Sequence, residues 1–444
     1  MGKNVVIIGG GAGGASVAAE ARRLDPSLSI IMFEEDAQVS FTACPMPYYI
    51  GDVIKDPARL IARTPEKFIE TGVDVRINTR VEEVDDKSRE VRLTDGTKIP
   101  YDILVFGTGT TVQKAGIPGE NREGVFTLRE YNDSIRIKNW LKETNCRKAI
   151  IIGAGFIALE MAEAFRTVGI KTSMYYRRDL PASHWDPEYS QIILDEITRN
   201  GVEFVPQTQL KAIEDGKEYR LKLVTNHGED EADIVLVAIG VRPNVKLASQ
   251  IGVPFGETGA ISVNFSQQTR KEGVYAVGDC CESFNRVSRR WVWLPLGDIA
   301  NKQGRVAGKN IGGGAIFFPG VVGAQSFKVF DLEVTMTGID EKEATKAGFH
   351  PVSAKMSGNA IAASMPGNKK IWMKLIADKP SGKLLGAQVI GGRGAVSRVN
   401  VLSAALWGGM TLDDVGYIDT AYAPPFSGAW DPLHIAAQML RRQI

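Results

Sequence analysis

At 444 residues the chain is too long for one ordinary hydrophobic core and predicts about three domains. Its 44% apolar and 24% charged content is that of a globular protein. With 53 basic against 52 acidic residues there is no net field to draw in nucleic acid or an anionic membrane, so neither is an expected partner and small-molecule chemistry is.

Four cysteines, at 44, 146, 280 and 281, make no disulfide framework and suit a reducing compartment. The N-terminus lacks a signal-peptide pattern, and no apolar run approaches the ~18 residues of a membrane span. The expected location is cytoplasmic. Cys280 and Cys281 are adjacent and read as structural, and His184, His227, His350 and His434 lie at no ligand spacing, so no metal site is expected.

In chain order, Val5 to Ile8 is an apolar run suited to a buried parallel strand. It enters Gly9-Gly10-Gly11-Ala12-Gly13-Gly14, in which Gly9, Gly11 and Gly14 satisfy G-x-G-x-x-G, and then an Ala-rich helix from about Ala15 to Leu24. A second strand over Ile30 to Phe33 ends at Glu34, twenty residues beyond Gly14, where an acid can hold a ribose hydroxyl. Strand, glycines, helix, strand and acid in that order predict a dinucleotide site.

Ser40 to Gly51 follows and carries Cys44. The spacing predicts a helix with Pro45 in its first position, whose unpaired N–H groups would favour a Cys44 thiolate. A small buried apolar side chain is the bland alternative for a free cysteine.

The same grammar recurs at 149 to 178. Ala149 to Ile152 leads into Gly153-Ala154-Gly155-Phe156, a helix bearing Glu160, and a strand over Lys171 to Tyr176. Arg177 and Arg178 follow where an acid is expected, which leans towards the 2′-phosphate of NADPH, two solvated arginines being the alternative. Two nucleotide sites in one chain imply electron transfer between two nucleotides.

Ile103 to Gly109 and Ile234 to Gly240 read as strands at which the chain passes between domains, and Gly273 to Asp279 ends in an acid able to bind a sugar-like hydroxyl chain. From about Phe327, strands over Phe327 to Val329, Ile371 to Ile376 and Ala387 to Ile390, then a helix over Val396 to Trp407, predict a separate final domain.

Taken together, Gly9 to Gly14 with Glu34, Ser40-Phe41 before Cys44, Pro47 to Gly51 after it, Gly107-Thr108-Gly109, the second glycine motif, Arg242-Pro243-Asn244, Gly278-Asp279, Gly304-Arg305 and Tyr422-Ala423-Pro424-Pro425 carry a family resemblance. Over essentially its whole length the chain resembles the FAD-dependent pyridine nucleotide-disulfide oxidoreductases. The likeness is to their single-cysteine branch of coenzyme A disulfide reductases, NADH oxidases and peroxidases, and CoA-dependent persulfide and polysulfide reductases. Ala43 and Pro45 depart from the branch, which has Asn and Gly or Ala there.

The resemblance implies an α/β fold of two Rossmann-like domains plus a C-terminal α+β dimerisation domain. FAD would lie on residues 1–112 and 245–325, NADH or NADPH on 113–244, and the dimer contact on 326–444. Glu34 would hold the FAD ribose, Asp279 the ribitol, and Phe156 would cover the nicotinamide pocket. Electrons would pass through the flavin to Cys44 and on to CoA disulfide, CoA persulfide, polysulfide or a related disulfide. With the next cysteine 102 residues away, Cys44 would cycle through a mixed disulfide, a persulfide or a sulfenic acid. Ser40, Arg22, Arg23 and Arg63 would bind the sulfur substrate, with coenzyme A as a further ligand, and Tyr422 would reach the partner subunit's site in a homodimer. An oxidase or peroxidase using a Cys44 sulfenate, and a flavin-bound redox sensor without turnover, remain the alternatives.

Overall fold

In the computed structural model, which describes residues 2–444, the apolar run Asn4–Ile8 (β1) is the central strand of a five-stranded parallel sheet. The sheet runs Val274–Ala276, Ile103–Phe106, β1, Ser29–Phe33 (β2), Val73–Arg76. Side chains alternate across a strand. Val6 and Ile8 therefore join Phe33, Leu104 and Phe106 in one core, while Val5 and Ile7 join Val17, Ala18 and Ala21 in the other. Both faces of β1 are covered, which is why its sequence is apolar without alternation.

The chain leaves this sheet after Phe106 and returns to it only at Val274. The excursion builds a second five-stranded parallel sheet, in the order Val202–Val205, Lys171–Tyr175, Lys148–Ile152, Ile234–Val237, Val125–Phe126. The outgoing and incoming segments pair antiparallel, Thr110–Val112 against Val241–Pro243. A third sheet is antiparallel: Gln325–Val329, Leu332–Gly338, Leu384–Gly391, Lys370–Asp378, Pro351–Asn359. The helices Ala395–Gly408 and Pro432–Arg441 bury Leu402, Leu406, Leu433 and Leu440 in its core.

Buried ion pairs act both between the parts and within the last of them. Lys374, 3% exposed, reaches Asp186 at 2.8 Å and Glu341 at 2.6 Å, tying the loop before the helix Pro187–Arg199 to the third sheet. Arg398 and Asp431 pair at 2.7 Å, and Arg398 also donates to the Ala360 carbonyl. Such pairs are expensive to break singly, because the surviving charge stays buried.

Several element ends differ from the sequence-based expectation. The first helix, α1, spans Ala12–Leu24, beginning inside the glycine motif rather than at Ala15, with extended Gly11 as its N-cap. The strand at Lys171 stops at Tyr175. The helix after Cys44, α2, spans only Met46–Ile50, and Pro45 is its N-cap rather than its first residue. Its first turn holds Pro47 instead. Leu332–Gly338 and Pro351–Asn359, unforeseen from sequence, are ordinary strands of the third sheet.

The helix Gly297–Ile311 crosses α1 closely because it presents glycines: a Cβ on Gly304 would sit 2.3 Å from the Gly13 carbonyl oxygen, and one on Gly308 2.7 Å from that of Val17. Gly14 is tighter still, its Cβ falling 1.9 Å from the Gly9 oxygen. Gly14→Ala is therefore predicted to cost roughly 1–3 kcal/mol and to lower flavin content. Melting temperature and flavin absorbance per protein measure both, and an unchanged holoprotein would refute the packing argument.

Candidate active site

Both glycine turns present a helix N-terminus with nothing of the protein's own to fill it. Neither α1 nor the helix Phe156–Thr167 has a side-chain cap or an acidic residue in its first turn, so their free N–H groups and positive dipole ends face outward. No atom lies within 4 Å of where a Cβ on Gly11 or Gly155 would stand. Glu34 is 9% exposed and accepts from Gly10 N at 2.7 Å and Asp36 N at 3.0 Å; burial raises its pKa. Burial likewise raises that of Asp279, which Arg129 partly offsets. These are two desolvated carboxylates suited to hydroxyl donors, so the residues present fit an FAD.

Cys44 lies in the turn before α2, two residues outside the helix, and its side chain is exposed. The expected low-pKa thiolate at a helix N-terminus is not what forms. Packing around the sulfur pushes the thiol up first, and the carboxylates of Glu160, Asp279 and Asp298 push it further. A helix of five residues supplies little dipole to oppose them. Stabilisation of a thiolate must therefore come from groups that bind there.

Glu160, on the helix Phe156–Thr167, lines a small recess with Tyr48, Glu163 and Pro47. Burial and then Glu163 raise its pKa to about 7, whereas Tyr48 is pushed up to about 12 by burial, Glu160, Glu163 and Cys44. Glu160 thus brings the second glycine unit's charge to the cysteine of the first. Phe156 opens the same helix, half exposed and 6.4 Å from Phe327 between ring centroids.

A polar groove of about 210 Å³ lies beside α1, lined by Ser40, Arg23, Arg63, Asn301, Arg305 and the carboxylate of Glu20. The structure brings Arg23 and Arg63 together with Ser40 but sends Arg22 elsewhere. The Arg22 guanidinium donates to the carbonyls of Pro26, Leu28 and Gly72, each at 2.7 Å, a structural role that removes it from the groove. Arg305 was missed as a site residue. Its signal was the Gly304 to Gly308 spacing, which lets its helix approach α1 closely enough to set Arg305 Nε 3.6 Å from Glu20, the buried carboxylate that also pairs with Arg23.

The other cysteines are placed away from this chemistry. Cys280 and Cys281 are buried, their Sγ atoms 3.3 Å from the Val277 and Gly278 carbonyls, and Cys146 is partly buried beside the Lys148 carbonyl. Trp293 donates to the Asp279 carbonyl at 2.7 Å, and Trp291 packs on Phe265 and Phe284. Arg177 is exposed, while Arg178 donates to Ser183 Oγ at 2.9 Å. Tyr422 is 53% exposed on the segment between the helices Leu412–Tyr417 and Pro432–Arg441, near exposed Phe426 and Trp430 in sequence. Among the described residues no helix is long and apolar enough to cross a membrane, and no group of three or more metal-ligating side chains forms.

Because Glu160 opposes the thiolate, Glu160→Gln is predicted to shift the alkylation-rate profile of Cys44 to lower pH. Iodoacetamide kinetics across pH measure this, and an unmoved or raised midpoint would contradict the electrostatic assignment.

Comparison with known proteins matches residues 3–304 to the pyridine nucleotide-disulphide oxidoreductase family and residues 324–433 to its dimerisation domain. The NAD(P)H coenzyme A polysulfide/persulfide reductase of Pyrococcus horikoshii is 38% identical over 444 residues, covering 99% of each chain. The coenzyme A disulfide reductase of Staphylococcus epidermidis is 29% identical over 97% of this chain and 98% of its own. Among solved structures, an NAD-dependent persulfide reductase from A. fulgidus superposes with a TM-score of 0.94 at 36% identity, over 99% of this chain and 83% of that one. The chain belongs to the pyridine nucleotide-disulphide oxidoreductases, enzymes that use FAD and NAD(P)H, and it carries their dimerisation domain.

Proposed function

We propose that this chain is an NAD(P)H-dependent reductase of CoA-linked sulfur: a CoA persulfide, a polysulfide or a CoA disulfide. The observation that carries the reading is the single exposed Cys44 between two nucleotide turns, with Cys146, Cys280 and Cys281 packed elsewhere. A cysteine without an internal partner must take its second sulfur from the substrate. The groove of Arg23, Arg63, Arg305 and Ser40 supports a substrate bearing phosphates. The names of the P. horikoshii and S. epidermidis relatives point the same way.

On this reading Gly9, Gly11, Gly14, Glu34 and Asp279 hold FAD, and Gly153, Gly155, Phe156 and Glu160 hold the pyridine nucleotide. Bound FAD supplies the two-electron relay between nicotinamide and sulfur. The Cys44 sulfur attacks the substrate S–S bond, one sulfur joins Cys44, and the other leaves as a thiol or as hydrogen sulfide. Two electrons from NAD(P)H and one further proton then release the second thiol and restore Cys44. Over the cycle NAD(P)H is oxidised, one S–S bond is reduced, and two S–H bonds form. Glu160, with a pKa of about 7 and close enough for its charge to raise the Cys44 thiol, is suited to hold and return a proton in this site. In a homodimer, Tyr422 would present its hydroxyl to the leaving sulfur of the other subunit.

Cys44→Ser is predicted to lower turnover with CoA persulfide, polysulfide or CoA disulfide by on the order of 10³-fold or more. The mass of the Cys44 adduct in protein as isolated gives a second readout, with CoA or sulfane sulfur expected. Unchanged turnover in the variant would refute the mechanism. Rapid NAD(P)H consumption with oxygen or peroxide alone, with an oxygen adduct on Cys44, would instead favour the oxidase.

A further inference from the structure

The segment that carries Cys44 belongs to the first unit in sequence, yet it is gripped by the second. α2 is five residues long, too short to persist without outside contacts. Its Met46, Tyr49 and Ile50 share one core with Ile137 of the helix Tyr131–Glu143 and Ala164 of the helix Phe156–Thr167. Gly51, the C-cap of α2, lies so close to the second of these helices that a Cβ would stand 3.0 Å from the Ala164 Cα.

Lys138, on the helix Tyr131–Glu143, is 5% exposed and sets its ammonium at the C-terminal end of α2. It donates to the Tyr49 carbonyl and, at 2.5 Å, to the Asp52 carboxylate, and it stands 4.6 Å from the centre of the Tyr49 ring. A buried ammonium demands such partners, and a cation is favoured beside the last carbonyls of a helix. The bond from Lys138 holds the Asp52 carboxyl below its ordinary range. Asp52 has a left-handed φ of 65°, which a non-glycine residue keeps only where its contacts enforce it. Beyond it, Val53 N and Ile54 N donate to the Tyr48 carbonyl at 2.9 and 3.0 Å, closing the turn. The grip extends to the cysteine through main-chain atoms. Tyr49 N donates to the Pro45 carbonyl and Met46 N to the Ala43 carbonyl, each at 3.1 Å, so the peptides on either side of Cys44 are tied into the turn that Lys138 holds at its far end.

We propose that Lys138 is a positioning residue for the sulfur chemistry: by gripping the C-terminal end of α2 it fixes where Cys44 stands. Its partners are Tyr49 and Asp52, so it acts through the main chain and not on the reacting atoms. The unit that brings Glu160 to the thiol thus also sets the place of the thiol. The inference rests on Cys44 being the residue that receives electrons from the flavin.

Lys138→Met keeps the apolar stem and removes the charge and its donors, while Asp52, half exposed, keeps its contact with water. In the FAD-loaded enzyme this variant should reduce polysulfide and CoA disulfide about tenfold more slowly at saturation, because a small displacement of a reacting atom is enough to slow its attack. KM for these substrates should stay within about twofold of wild type. Reduction of ferricyanide by NAD(P)H, which draws electrons from the flavin without the thiol, should also stay within about twofold. Lys138→Arg, which keeps charge and donors, should recover most of the sulfur turnover. Hydrogen exchange of the Met46 to Ile54 amides should quicken about tenfold in Lys138→Met and not in Lys138→Arg. Full sulfur turnover in Lys138→Met would overturn the positioning role, and so would a parallel fall in ferricyanide reduction, the mark of a general structural loss. Full sulfur turnover in Cys44→Ser would instead overturn the reading beneath it.

Discussion

The contact on which both nucleotide units depend is backbone against backbone at the carboxyl end of a parallel sheet. In the first unit, Gly9 has a φ of 100° and lies so close to Gly107 that a Cβ would stand 2.2 Å from the Gly107 oxygen. In the second, Gly153 has a φ of 121° and meets the Ala238 oxygen at the same 2.2 Å. Side chains are excluded from both crossings, so strand, turn and helix meet without an intervening layer. The N–H groups at the helix start are left uncovered, and an anion can approach them.

Repetition of that contact places two uncovered helix starts in one chain. The glycine turns orient α1 and the helix Phe156–Thr167, and the second helix delivers Glu160 towards Cys44. The outgoing and incoming segments of the excursion pair with each other, and Lys374 anchors the excursion to the third sheet. A charge carried by one unit can therefore act on a thiol carried by the other. The carboxylates of Glu160, Asp279 and Asp298 all oppose ionisation of Cys44.

Most of the architecture is legible in the sequence because it is local. Periodic apolar runs give the strands, and the glycine spacings give the turns. Glu34 was readable from its distance along the chain to Gly14. What escaped depends on approach in three dimensions. Arg22 and Arg23 are neighbours in sequence, yet one turn of direction sends Arg22 to three backbone carbonyls and leaves Arg23 in the groove. Arg305 arrives from nearly three hundred residues away through a glycine-lined helix crossing. A thiolate at Cys44 is favoured in the sequence by the helix start that Pro45 suggests, whereas α2 begins at Met46, lasts barely more than one turn and leaves the surrounding carboxylates to raise the thiol.

In the loop after the strand Lys171–Tyr175, Ala182 holds a left-handed φ of 50° and ties the loop to the second glycine turn. Its defining bond, Ala182 N to the Ala154 carbonyl, is made by main-chain atoms, so the path of the loop does not depend on which side chains Arg177, Arg178 and Ser183 carry. Those positions can be exchanged while the loop keeps its place beside the glycine turn. Substitutions at those positions are therefore expected to leave the backbone of the glycine turn where it is.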